Sequence, residues 1–331
     1  MSDPRPDPSA STPASASAPS TSAPIATGWS HRTAHLSPTV RGLLWAAGSG
    51  ALFSLLNATM RWLALQLDPW QAQFLRYLFG MLVMLPLVLR SASLADWWPK
   101  QVGGQFTRGV VHTAGLMMWF AALPQIPLAD TTAIGFTSPL FIMLGAWLVL
   151  REPMRWERWA ATAAGFIGVL IVVGPRLSTS GGVYHLLMLA SAPVFAASFL
   201  LTKVLTRSET AGVIVLWQAI TVTVLSLPMA IWAWQAPTGL QWLAFALCGL
   251  LGSGGHYCLT RSFASADISS TQSVKFLELL WSAALGFALF ADVPTQTTLL
   301  GGVLICSATL WVAGREHRRS AVLAPPQRDG L

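Results

Sequence analysis

Ten stretches of the chain are nearly free of charge and long enough, at about 20 residues each, to carry an α-helix across a hydrocarbon layer of roughly 30 Å. They cover 42–63, 70–89, 107–125, 128–150, 156–174, 183–204, 211–234, 240–260, 268–290 and 296–314. Polar and apolar positions do not alternate within them, as 140–150 and 165–173 show, so the pattern predicts helices and not barrel strands. Pro86, Pro139, Pro193 and Pro228 fall inside spans, where neighbouring helices satisfy the carbonyls that a proline frees. Residues 1–40 are rich in Ser, Pro and Ala and lack any such periodicity. They are expected to form a disordered tail, without the apolar stretch of a secretory signal. A shorter tail is expected over 316–331.

The spans fall into two sets of five. Phe74-Leu75-Arg76-Tyr77 runs ten residues on from Arg76 to Pro86, and Val215-Leu216-Trp217-Gln218 runs ten on from Gln218 to Pro228. Glu152 precedes Gly174 by 22 residues, and Asp292 precedes Gly314 by the same 22. Leu128-Ala129-Asp130 before the fourth span echoes Ser265-Ala266-Asp267 before the ninth. The domain organisation expected is a first repeat over 41–176 and a second over 181–315. Five helices are an odd number, so the second repeat must enter the membrane in the opposite sense, as in many secondary transporters.

Composition adds a constraint. The chain has 331 residues, of which 53% are hydrophobic and only 10% charged, too few ionisable groups to cover a soluble surface of that size. The net charge of +7 is not gathered into a phosphate-binding face, so no nucleic-acid partner is expected. It reports topology instead. With the N-terminus inside, 16 of the 20 Lys and Arg fall on the cytoplasmic side, Arg108, Arg151, Arg155 and Lys203 among them. Both termini are therefore expected in the cytoplasm, with the chain multi-pass in the inner membrane. Cys248, Cys258 and Cys306 sit in apolar stretches at spacings that fit no metal or redox motif, and neither a metal nor a cofactor is expected.

The motifs resemble those of the drug/metabolite transporter superfamily, EamA ten-helix type, from about Arg41 to Arg319. The resemblance is carried by Phe74-Leu75-Arg76-Tyr77, by Trp119-Phe120-Ala121-Ala122-Leu123, and most specifically by Ala133-Ile134-Gly135-Phe136-Thr137-Ser138-Pro139-Leu140-Phe141 with Leu150-Arg151-Glu152-Pro153. Leu279-Leu280-Trp281-Ser282-Ala283-Ala284-Leu285-Gly286 and Ala291-Asp292-Val293-Pro294 stand in the second half, with Asp292 in place of the more usual Glu. The resemblance implies an all-α polytopic membrane protein, ten helices in two inverted five-helix repeats around a central cavity. It also implies gradient-driven transport without ATP, and no phosphate-binding loop is present. Family substrates range over amino acids, riboflavin, nucleotide-like metabolites and drugs.

Charge inside the bilayer costs about 2.5–3.5 kcal/mol per group and needs a reason. Arg76 lies about 9 Å along the second helix, where it either faces the cavity to hold a carboxylate or phosphate or snorkels to the headgroups. Its repeat counterpart is the neutral Gln218. Lys275 and Glu278 are three apart on one helix face, either a mutually neutralising pair or a site where Glu278 exchanges a proton. His112 and His256 are titratable positions that either relay protons or pack, and Asn57 is a polar group within the first span. Trp119 and Tyr257 are candidates to line a cavity for a ring-bearing solute. The glycines of Gly252-Ser253-Gly254-Gly255 are expected to let the eighth helix approach a neighbour closely. Glu152 and Asp292 are expected to cap helices or pair with loop arginines such as Arg155.

The function these features predict is secondary active transport, by alternating access, of a small metabolite. An amino acid or related polar compound moving outward is the first expectation, and uptake of riboflavin or a similar aromatic metabolite the alternative. A structural or channel-like bundle is the alternative of another class. A membrane-embedded hydrolase or acyltransferase would need a Ser/His/Asp set, a paired-Asp motif or a His-x-x-x-x-Asp arrangement, and none is present, so the chain is not expected to be an enzyme. The expected partners are the solute, protons and lipid, with the chain a monomer or homodimer.

Overall fold

The computed structural model describes residues 36–125, 137–152, 155–173, 182–275 and 277–291, with isolated positions beyond these. They form α1 (Pro38–Ala64), α2 (Pro69–Leu89), α3 (Val102–Ala122), α4 (Ser138–Leu148), α5 (Trp156–Val173), α6 (Gly182–Leu205), α7 (Ala211–Trp232), α8 (Gly239–Ser265), α9 (Ile268–Lys275) and α10 (Leu277–Phe290). No strand occurs among the described residues. Helices α9 and α10 together occupy the ninth predicted span, while the tenth span, the N-terminal tail, Asp130, Asp292 and Cys306 lie outside the described residues.

Several helix entries are built by residues that satisfy N–H groups lacking a partner in the first turn. The Ser37 hydroxyl accepts from Val40 N at 3.3 Å ahead of Pro38, and the Asp68 carboxylate accepts from Trp70 N at 2.8 Å ahead of Pro69. Thr238 and Gln241 form a reciprocal capping box at the start of α8. Five of the helices, α1, α2, α6, α7 and α8, are each long and apolar enough to span a bilayer. Their outer faces carry bare apolar side chains, Leu87, Val224, Ile231, Leu243 and a Trp232 that is 92% exposed, a surface suited to lipid and not to water.

The two halves pack mainly on each other. Helix α8 packs on α1 and α2, α7 on α2 and α3, and α6 on α3 and α4. The main core lies across this seam and includes Leu56, Leu63, Leu75, Phe120, Val222, Phe245 and Cys248. Small residues set the approach of α8 to α2. A Cβ at Gly249 would stand 2.6 Å from the carbonyl carbon of Phe79, and Ser253 Oγ donates to the Gly80 carbonyl at 3.0 Å. Backbones this close gain dispersion and hydrogen bonding, which are the forces available between helices in lipid.

Where α4, α6 and α8 end, one further bond crosses between halves and two more join α6 to α8 within the second. Glu152 Oε1 accepts from Ile268 N at 3.1 Å, capping α9, and Lys203 Nζ donates to the carbonyls of Phe263 and Ala266, each at 2.7 Å. Glu152 thus caps a helix, but one in the opposite repeat. The residue before it, Arg151, has φ 55°, and Ala291, immediately before Asp292, has the same φ 55°. The two acidic turns paired by spacing are therefore also paired in backbone conformation.

One sequence expectation is corrected here. Arg108 does not sit in a cytoplasmic loop. Helix α3 begins at Val102, five residues before the predicted start, and Arg108 is 2% exposed inside it.

Candidate functional site

Helices α2, α7 and α8 enclose a small internal cavity whose wall includes Arg76, Tyr77, Gln218, Gly252, Ser253 and His256. The free space is about that of one water molecule, so the side chains nearly fill it.

Arg76 is only 7% exposed, and its guanidinium carbon lies 4.5 Å from the Tyr77 ring centroid. It does not reach the headgroups. The Nε of Arg76 is buried with no hydrogen-bond partner among the described residues. Gly252 provides room for this side chain, since a Cβ there would meet Arg76 Nε at 3.4 Å and the adjacent Nη2 at 3.5 Å.

Gln218, 1% exposed, is engaged at both ends of its amide. Its Oε1 accepts from Arg108 Nη2, and its Nε2 lies 3.5 Å from His256 Nε2. Arg108 is also held by its other nitrogens, Nε donating to Thr202 Oγ1 and Nη1 to the Ile214 carbonyl at 3.0 Å. One guanidinium from α3 therefore ties α6 to α7.

Beside it, His112 bridges two hydroxyls. Its Nε2 is 2.9 Å from Tyr77 Oη and its Nδ1 is 3.1 Å from Ser198 Oγ. The His112 and His256 ring centroids are 5.4 Å apart, edge to face, and Phe53 meets His256 at 4.9 Å in the same manner. The result is a continuous polar chain through the middle of the bundle, Ser198–His112–Tyr77 beside Thr202–Arg108–Gln218–His256, with aromatic rings around it.

Of the residues singled out in the sequence, the structure brings Arg76, Gln218, His256 and His112 into this cluster. The others lie elsewhere. Trp119 packs on the core edge-to-face with Phe120 at 5.0 Å, and Asn57 is half-buried on α1 away from the cavity wall. Tyr257 pairs with Trp45 at 6.2 Å between ring centroids. Glu278 rests against α1, its Cγ 2.9 Å from where a Gly50 Cβ would stand and its backbone carbonyl accepting from Ser54 Oγ at 3.4 Å. The Lys275 side chain lies outside what is described.

Sequence reasoning missed Arg108, Tyr77, Ser198 and Thr202. A signal for Arg108 existed: Gln105, Arg108 and His112 are spaced three and four apart, one polar stripe on an otherwise apolar helix. The cavity wall offers one buried guanidinium, that of Arg76, and the Gln218 amide, and no carboxylate among its described residues, while Arg108 stands behind Gln218 outside the wall. Such a site suits a solute rich in hydrogen-bond acceptors, with a flat apolar part against the rings. No group of side chains able to hold a metal ion occurs among the described residues.

The chain matches the model of the EamA-like transporter family twice, over residues 40–174 and 182–314. It is 36% identical to a riboflavin transporter of Rhizobium johnstonii, the alignment covering 86% of this chain and 94% of that protein. An S-adenosylmethionine uptake transporter of Rickettsia prowazekii is 27% identical, over 84% of this chain and 94% of its own length. The pseudopaline exporter CntI of Pseudomonas aeruginosa is 28% identical, over 81% and 94%. A protein of known crystal structure superposes with a TM-score of 0.68 at 18% identity, over 85% of this chain and 98% of that one, and shares the fold.

Proposed function

This chain belongs to the EamA-like transporter family, an integral membrane transporter of small metabolites and not an enzyme, and we propose that its solute is a ring-bearing, acceptor-rich metabolite of the riboflavin type, taken up by alternating access. The observation that carries this reading is the cavity wall itself, where donors from Arg76 and Gln218 stand among the rings of Tyr77, His256 and the neighbouring Phe53. The 36% identity to a riboflavin transporter supports the same choice over the amino-acid export that composition and motifs first suggested.

A second reading, a carboxylate-bearing amino-acid-like solute, is favoured by Arg76 Nε, which has no partner among the described residues and suits a carboxylate. The Arg residues within the bundle leave the topology argument intact. Without Arg108, 15 of the 20 basic residues still fall on the side of the termini, which we place in the cytoplasm with the chain in the inner membrane.

Counterflow in proteoliposomes tests the reading. Vesicles loaded with unlabelled riboflavin are expected to accumulate labelled riboflavin saturably, and Arg76→Gln is expected to abolish it. Exchange of amino acids but not of riboflavin would favour the second reading, and substrate-independent leakage would point to a channel.

A further inference from the structure

We infer that Arg108 sets the specificity of the cavity by fixing which end of the Gln218 amide faces it, so that the site takes a solute edge built of acceptor oxygens. The inference rests on the reading that this cavity is the substrate site. A guanidinium carries donors only, so the atom of Gln218 that meets Arg108 Nη2 must be the amide oxygen. The amide NH2 is thereby turned toward His256 and the cavity, as a donor. Arg108 cannot follow a reversal of the amide, because its other nitrogens are held by Thr202 and by the Ile214 carbonyl and the side chain is 2% exposed.

The second half of the subsite comes from the other repeat. Arg76 Nε is a buried donor without an acceptor among the described residues, and leaving such a donor unmet is costly. Two donors from pseudo-equivalent positions on α2 and α7 thus border one space, and the wall carries no acidic side chain among its described residues. A ring edge with two carbonyls, as in a pyrimidinedione, and a carboxylate both provide the acceptors this arrangement lacks. A solute that presents a donor to Gln218 meets another donor, and the position selects against it. Arg108 touches no solute in this scheme; it is a positioning residue.

The full-length protein in proteoliposomes is tested for counterflow with two matched pairs: riboflavin beside 4-thioriboflavin, in which a weakly accepting sulfur replaces one carbonyl oxygen, and S-adenosylmethionine beside its carboxyl methyl ester. Wild type is expected to prefer riboflavin over its thio analogue, or the free carboxylate over its ester, by about tenfold in KM. Preference in the flavin pair identifies a ring edge and preference in the other pair a carboxylate, and either supports the inference. Gln218→Glu keeps an acceptor toward Arg108 but replaces the cavity-facing NH2 by oxygen, and is expected to erase the preference. Arg108→Lys keeps the charge without the three-pronged hold, and is expected to narrow the ratio to below about threefold with kcat within about twofold of wild type. Monodispersity in detergent is checked for both variants, and Gln218→Glu, which retains the Arg108 contact, decides if Arg108→Lys fails to fold. Variants that exchange solute with the wild-type ratio overturn the role of Arg108 while leaving the transport reading standing. A wild type that exchanges none of the four overturns both.

Discussion

Helices α2 and α7 occupy equivalent places in the two repeats, and the contrast between Arg76 and Gln218 shows what duplication permits. Both side chains are buried, both reach the same cavity, and both helices carry a proline ten residues later. Yet the Gln218 amide is engaged at both ends, whereas Arg76 keeps a buried nitrogen with no partner among the described residues. One half supplies a fixed reader and the other a charge, stacked on Tyr77, with one donor unmet among the described residues. Because the two are held by different helices, a rocking motion between halves alters their separation, which is how a carrier can bind on one side and release on the other.

Making the two positions alike should break this division most severely. Arg76→Gln removes the only charge at the α2 position, and riboflavin counterflow is expected to fall by at least about a hundredfold, the range for losing a charged hydrogen bond in a buried site. Gly252→Ala sharpens the contrast from the opposite side of the cavity. The added methyl stands in van der Waals contact with the guanidinium, 3.4 Å from Arg76 Nε, and narrows the space beside it, so KM is expected to rise by about threefold with the protein still folded.

A third substitution tests the packing that brings the halves together. Gly249→Ala places a methyl 2.6 Å from the Phe79 backbone, where nothing flexible can yield, and is expected to destabilise by about 1–3 kcal/mol, read as a lower unfolding temperature in detergent. Glu278→Gln probes a site separate from both readers. Since Glu278 rests on α1 at Gly50, riboflavin affinity is expected to stay within about twofold while accumulation driven by a pH gradient is lost. Loss of affinity in that variant would place Glu278 in the recognition site. The smallest effect belongs to the paired left-handed turns. Replacing Ala291, φ 55°, with Gly relieves a strain of about 1–2 kcal/mol and adds unfolded-state entropy of somewhat less, for a net gain near 0.5 kcal/mol, seen as a slight rise in thermal stability.

The helices were legible because length and hydropathy determine them. The seventh span, predicted as 211–234, is observed as Ala211–Trp232. The third was misplaced because Arg108 reads as loop when charge is taken as a boundary marker. Its charge is tolerated within α3 through Thr202, Ile214 and Gln218, 94, 106 and 110 residues away in the chain. Local periodicity carries no information about partners at that distance. The same limit hid Tyr77, whose role depends on His112, and made Trp119 and Asn57 look like cavity residues when the folded bundle turns them elsewhere. Arg76 and Gln218 were legible because the internal repeat aligned them.

The contact of Glu152 with the start of α9 acts as a clasp between the repeats. It holds one backbone N–H across the seam between the repeats, while Lys203 ties α6 to the end of α8 within the second repeat. A hydrogen bond to a charged group contributes about 1.5–3 kcal/mol, so undoing it imposes a toll on every opening at this end. Such a toll falls on the speed of the cycle and not on the choice of solute, which separates the turnover of this carrier from its selectivity.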